Sequence, residues 1–181
     1  NFIKTAIEGV YIIEPRIFTD DRGYFFESYS KAAFEAAGLH YDFVQDNQSK
    51  SVYGTVRGLH FQKGEHAQAK LVRVLEGTVL DVAVDLRRAS PTYGKHVAVE
   101  LSAENNRQLL IPRGFAHGFS VLSETAVFAY KCDNLYCRES EGGIRFDDPA
   151  LAIDWRIDPA KALTSDKDKR HPYFSEFESC F

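Results

Sequence analysis

The sequence predicts an all-β protein, a sandwich or barrel of short strands with a few short helices, and three observations carry that prediction. Runs that alternate apolar and polar residues recur along most of the chain, broken by turn residues roughly every 8–12 positions. Aromatic residues reach 13%, with 14 Phe and 9 Tyr, side chains that favour a pleated, half-buried surface. Helical composition is confined to short pieces, so nothing in the pattern supplies the helices of an α/β fold.

The elements follow in order. GVYIIEPRIF (9–18) reads as an early strand broken by Pro15, and GYFFESY (23–29) as another. KAAFEAAGL (31–39) reads as a short helix ended by Gly38. VRGLHFQ is a strand, and KLVRVLEGTVLDVAVDLR (70–87) alternates on both sides of Glu76-Gly77, which predicts a hairpin. KHVAVELS (95–102), RQLLIP (107–112), HGFSVLS (117–123) and TAVFAYKCDN (125–134) continue the series. Beyond them Pro, Asp and Lys predict turns and one short helix. No repeat, linker or low-complexity segment divides the chain, so residues 1–181 are expected to form a single domain.

Composition narrows the function classes. The net charge of −4 makes nucleic acid an unexpected partner, and any anionic ligand must be held by local arginines. Cys132, Cys137 and Cys180 are odd in number and contain no CxxC pair, which argues against a disulfide framework or zinc ribbon and suits a reducing cytoplasm. No apolar run is long enough to span a membrane, and the opening NFIKTAIEGV lacks the apolar core of a signal peptide. A cytoplasmic protein is expected.

One stretch sits oddly among strands: VRGLHFQKGEHAQAKLVRVLEGTV (56–79) carries histidines, glutamines, lysines and arginines that are costly to bury. PRGFAHGF (112–119) adds a turn at Pro112 and Gly114 with His117 three residues beyond. This PxGxxH pattern, with a histidine strand about fifty residues upstream, resembles the two-motif signature of cupins and implies a double-stranded β-helix, or jelly roll. In most cupins the upstream strand carries HxH and a following Glu that chelate a metal. Here it reads His60-Phe61-Gln62, and His66 stands where the Glu would fall. An amide is a poor substitute for imidazole at iron or zinc, so no metal and no cofactor are expected.

A closer resemblance covers nearly the whole chain. DDRGYFFESY, FVQDNQSKS, RGLHFQ, QAKLVRVLEGTVLDVAVDLR, PRGFAHGF, FAYKCDNLYCRESEGGIRFDDPALAIDW and SDKDKRHP resemble, in order and at matching spacing, the motifs of the dTDP-4-dehydrorhamnose 3,5-epimerase family. That resemblance implies a metal-free cupin, a homodimer, and inversion of C3 and C5 of a dTDP-4-keto-6-deoxyglucose. Protons beside a ketone are weakly acidic, so the reaction needs a base on one face, a group to stabilise the enolate oxygen, and an acid on the other face. His60 matches the family base and Asp168 the carboxylate that orients it. Lys70 matches the lysine at the carbonyl oxygen, and Tyr130 the proton donor for C5. Arg57 and Arg22 match the pyrophosphate contacts. Phe18, Glu27, Gln45, Asn47 and Glu141, with His117, match nucleotide and sugar contacts. From the residues alone, Asp168 reads as a turn carboxylate and Tyr130 as core, and Leu71 and Val72 do not settle which way Lys70 faces.

The chain departs from the family pattern at Phe146, where Trp is common, and at IDWRI, where IDWP is common. Rival readings are a metal-dependent cupin using His60, His66 and His117, a C3-only epimerase or 3,4-ketoisomerase on a similar sugar nucleotide, and a non-catalytic sugar-binding cupin.

Overall fold

The computed structural model describes residues 1–181. Its elements are β1 (Phe2–Lys4), β2 (Tyr11–Ile13), β3 (Phe18–Asp20), β4 (Gly23–Phe25), α1 (Lys31–Ala36), β5 (Gln45–Val52), β6 (Val56–Gln62), β7 (Lys70–Glu76), β8 (Thr78–Asp85), β9 (His96–Ser102), β10 (Gln108–Ile111), β11 (Phe115–Val121), β12 (Thr125–Cys132), β13 (Glu141–Gly143) and α2 (Asp166–Lys169). A six-stranded sheet, ordered β1-β2-β10-β7-β12-β5, faces a five-stranded sheet, ordered β13-β6-β11-β8-β9. The result is the jelly roll the sequence predicted. No helix is long and apolar enough to cross a membrane.

Period-two alternation explains the core. Val72 and Val74 of β7, Val79 and Ala83 of β8, Phe115, Phe119 and Val121 of β11, and Ala126 and Phe128 of β12 meet between the sheets as one buried cluster. The opposite faces are covered separately. α1 opens on Ser30, whose Oγ accepts from the Ala33 N–H at 3.3 Å, and Phe34 packs with Leu71 and Leu110 on the outside of the six-stranded sheet. The C-terminal tail wraps the outside of the five-stranded sheet, with Trp155 and Phe146 packed edge to face at 6.1 Å and the indole N–H donating to the Phe146 carbonyl at 2.7 Å. The two departures from the family pattern thus lie in this outer layer, away from the interior.

One expectation fails. β7 and β8 do not form a hairpin: β7 pairs with β10 and β12, whereas β8 pairs with β11 and β9. A single residue, Gly77, joins them, and the shortest common hairpin loops need two. The chain therefore turns from one sheet into the other at Gly77, which takes the left-handed φ of +79° and leaves no room for a side chain, since a Cβ would stand 2.1 Å from the Thr125 carbonyl oxygen. The FVQDNQSKS stretch, not read as a strand from sequence, supplies β5, whose inward residues are mostly polar.

A second glycine contact positions the functional strands. Gly58 and Gly118 pack backbone to backbone where β6 meets β11, and a Cβ on Gly118 would stand 2.6 Å from the Arg57 carbonyl oxygen. The close approach accompanies a register shift that places His60 directly opposite His117. Gly118→Ala is therefore expected to cost about 1–3 kcal/mol through forced separation of the strands. Thermal unfolding together with turnover should show a lower Tm and a disproportionate loss of activity; an unchanged protein would refute the contact's role.

Candidate active site

A cavity of about 540 Å³ opens between the sheets at one end of the barrel, and it gathers His60, Lys70, His117, Tyr130, Arg57 and Asp168. The volume lies in the range that takes a small organic ligand. His60 and His117 come from the five-stranded sheet, Lys70 and Tyr130 from the six-stranded one, so the two walls carry different groups.

His60 is 41% exposed at its side chain, and its Nε2 lies 2.5 Å from Asp168 Oδ1. Asp168 is 5% exposed and reaches this position from α2, where Ser165 Oγ accepts from the Asp168 N–H at 3.1 Å. Its other oxygen accepts from the Gly58 N–H at 3.3 Å. Burial by itself would raise the Asp168 carboxyl, but the adjacent imidazoles of His171 and His60 and the Gly58 amide outweigh it and hold the group well below the usual carboxylate range. An ionised carboxylate can only accept, so the His60 Nε2–H donates to Asp168, and Nδ1 is the ring nitrogen this contact leaves free.

On the facing wall, Lys70 Nζ stands 5.6 Å from the centre of the Tyr130 ring, and burial lowers the lysine from its ordinary value. The alternation that puts Val72 and Val74 inside turns Lys70 inward as well, which settles its facing. Burial raises the Tyr130 phenol, which is thereby kept protonated. Asn47 lies opposite Tyr130 in the β5–β12 ladder and lines the cavity, while Gln45 braces Asn47 from behind, donating to its Oδ1 at 3.3 Å. Arg57 sits at the rim, its Nε donating to Ser51 Oγ at 3.0 Å.

Other predicted residues are not brought to the cavity within one chain. Glu141 is tied to Lys167, which itself lines the cavity. Phe18 and Arg22 lie on the β3–β4 ribbon, a two-stranded arm outside both main sheets, where Arg22 is 91% exposed and paired only with Asp20. Glu27 follows the same arm, in a groove that also holds Phe18 and Phe25.

Three contributors went unassigned in the sequence. Asp81 is wholly buried, with Oδ1 2.8 Å from His117 Nε2; its signal was an acid between apolar neighbours in TVLDVAVD. His171 stands behind Asp168, with Nε2 3.4 Å from Oδ1, and lies within the SDKDKRHP motif. Thr164 lines the cavity with a buried hydroxyl that has no partner, and no local pattern announces it.

The histidine set of a metal cupin does not assemble. His66 lies in a 3₁₀ turn beside Glu65, and the Gln62 side chain is spent on the His66 and Leu135 carbonyls and the Cys137 N–H. Donor atoms of His60, Asp168 and His171 fall within 4.8 Å of one another, yet the 2.5 Å between His60 Nε2 and Asp168 Oδ1 is a hydrogen bond. Two ligands of one tetrahedral zinc would stand about 3.3 Å apart, so this geometry does not fit an ion.

Against this geometry, residues 4–176 match the family model for dTDP-4-dehydrorhamnose 3,5-epimerase. The chain belongs to that family. A dTDP-4-dehydrorhamnose 3,5-epimerase of Salmonella typhimurium is 54% identical across 96% of this chain and 95% of its own length. The crystal structure of a dTDP-4-dehydrorhamnose 3,5-epimerase from Elizabethkingia anophelis matches with a TM-score of 0.93 at 58% identity, covering 97% of each chain. A Legionella pneumophila dTDP-6-deoxy-D-glucose-3,5-epimerase in complex with dTDP-4-keto-L-rhamnose matches with a TM-score of 0.94 at 49% identity, over 98% of this chain and 94% of the other.

For an epimerase of this family the His60–Asp168 pair has a measurable consequence. Asp168→Asn keeps the shape but replaces the acceptor-only carboxylate with an amide that can also donate, which frees His60 to adopt the other tautomer. The expected result is a fall of at least about 10²-fold in kcat with KM changed little. Steady-state kinetics showing near-normal kcat would remove Asp168 from the mechanism.

Proposed function

We propose that this cavity inverts C3 and C5 of dTDP-4-dehydro-6-deoxy-D-glucose to give dTDP-4-dehydro-L-rhamnose, with residues 1–181 acting as one catalytic unit. The observation that carries the reading is the opposition of His60, on one wall, to Lys70 and Tyr130 on the other. A sugar ring lying between them has a base on one face and a proton donor on the other.

His60 Nδ1 takes the proton from C3, and the C–H electron pair moves through C4 to its carbonyl oxygen, where the Lys70 ammonium meets the developing negative charge. A proton added to the opposite face of C3 restores the ketone, His60 gives up its proton and abstracts again at C5, and Tyr130 donates a proton to the opposite face there. His60 is exposed enough to exchange that proton with solvent. Arg57, at the rim, is suited to the pyrophosphate because a planar guanidinium can bind two oxygens together. Asn47 and His117 contact the sugar, and Gln45 and Glu141 shape the rim.

Phe18, Arg22 and Glu27 complete the nucleotide site of a second copy in a homodimer. What supports this is the arm that bears them: a two-stranded ribbon by itself is marginal in water, and this one exposes Phe18, Tyr24 and Phe25 at 52%, 65% and 70%. If the arm crosses, mixing His60→Ala with Arg22→Ala protein should rebuild one intact site in each mixed dimer. Random subunit exchange would then restore up to about a quarter of wild-type sites. Activity that stays at the average of the two parents would mean that the arm serves its own chain.

The roles of base and acid separate in deuterium oxide. His60→Ala should abolish label incorporation at both C3 and C5, with turnover down at least about 10²-fold. Tyr130→Phe should leave abstraction intact, so exchange continues while inversion at C5 fails. The ratio of exchange to inversion at each carbon, read by NMR, decides between them. Near-normal exchange in His60→Ala, or normal C5 inversion in Tyr130→Phe, would overturn the assignment.

A further inference from the structure

Two histidines of the cavity wall are each bonded to a carboxylate, and the reaction just described gives a role to only one of those carboxylates. In the second, Asp81 is 0% exposed; Oδ1 is bonded to His117, and Oδ2 is buried with no partner. A carboxylate in that condition is costly unless a counter-charge lies near. Asp81 occupies the inward row of β8 between Val79 and Ala83, and Lys70 begins the inward row of β7 that continues through Val72 and Val74. All four apolar neighbours belong to one cluster, so the two ions approach the barrel interior from opposite sheets.

The groups that face Lys70 can be taken element by element. β10 offers only the apolar Ile111. β12 offers Tyr130 and Cys132, and burial pushes the Cys132 thiol up to about 11, so it carries no charge at neutral pH. β11 and β6 offer the imidazoles His117 and His60, and β13 offers Glu141, already paired with Lys167. On β8 stands Asp81, the one anion in this set without a cationic partner of its own. Burial lowers Lys70 and raises Asp81, and each opposes that shift in the other.

We propose that Asp81 is a positioning residue for the epimerisation: held by His117, it is the buried counter-charge that keeps Lys70 an ammonium ion where the enolate oxygen forms. The proposal rests on the reading of Lys70 given above. Bonding the carboxylate to His117, and not to the lysine directly, neutralises the interior while leaving the ammonium protons free for the substrate. A direct ion pair would compete with the enolate for those protons.

The test uses full-length protein carrying ¹³C-labelled lysine, with the Lys70 Cε signal assigned by its absence from Lys70→Met. Asp81→Asn keeps the shape and an acceptor for His117 but removes the charge. The expected result is a Lys70 titration midpoint at least about one pH unit below wild type, a tenfold change in proton affinity. The alkaline limb of kcat for C3 and C5 exchange should move by a similar amount, with KM within about threefold. A merely structural role would lower the Tm and leave both midpoints in place, and that result overturns the proposal. If Asp81→Asn does not fold, the reciprocal measurement serves. Because coupling is mutual, the Asp81 carboxyl carbon should titrate at higher pH in Lys70→Met than in wild type, and no change overturns the proposal. The two readings fail differently: a Lys70 midpoint that falls while the kinetic limb stays fixed overturns the catalytic reading of Lys70, and an unshifted midpoint overturns the Asp81 pairing alone.

Discussion

An ionisable group placed between two packed sheets must be compensated there, and the whole active end of this barrel is organised by that requirement. Water cannot solvate the charges fully, and an unpaired one would change its protonation state before it tolerated burial. His60 is matched by Asp168, His117 by Asp81, and Lys167 at the mouth by Glu141. Lys70 has no hydrogen-bonded anion, which leaves its Nζ available to a ligand oxygen. The same low-dielectric setting that makes such groups expensive makes them effective when negative charge develops on a substrate.

The two sheets divide the work, and the glycine contact between β6 and β11 makes the division possible. His60 and Asp168 belong to the five-stranded sheet and the tail that covers it, while Lys70 and Tyr130 belong to the six-stranded sheet. The hydrogen bond from His60 to Asp168 joins residues 108 positions apart, so the tail is part of the site as well as the cover of the outer core. Trp155 and Phe146 anchor that tail on the outside of the same sheet. Packing far from the cavity therefore bears on His60, because a tail free to shift would carry its partner Asp168 with it.

Gln62, at the end of the RGLHFQ strand, is buried and serves the fold. Its amide is consumed by three backbone partners that tie β6 to the 3₁₀ turn at His66 and to the Leu135–Cys137 segment. The side chain acts as a structural bracket.

The sequence by itself determined most of the strands, though not the polar β5, together with the helix at KAAFEAAGL, the jelly-roll class and, through seven motifs in order, the family and its candidate residues. Alternation is local and survives any pairing, which is why strand existence was legible at 70–76 and 78–85 while their supposed hairpin was not. Which sheet a strand joins depends on partners far away in the chain: β7 lies beside β10 and β12, β8 beside β9 and β11. The facing of Lys70 had the same limit, since alternation says which residues share a side and only packing says which side is inside. Asp81 and His171 were visible as residue types without a role, because their partners His117 and Asp168 are set by tertiary contact. Phe18, Arg22 and Glu27 matched motif positions yet stand on an arm away from the cavity, since a motif records which residues are present and folding decides where the chain carries them.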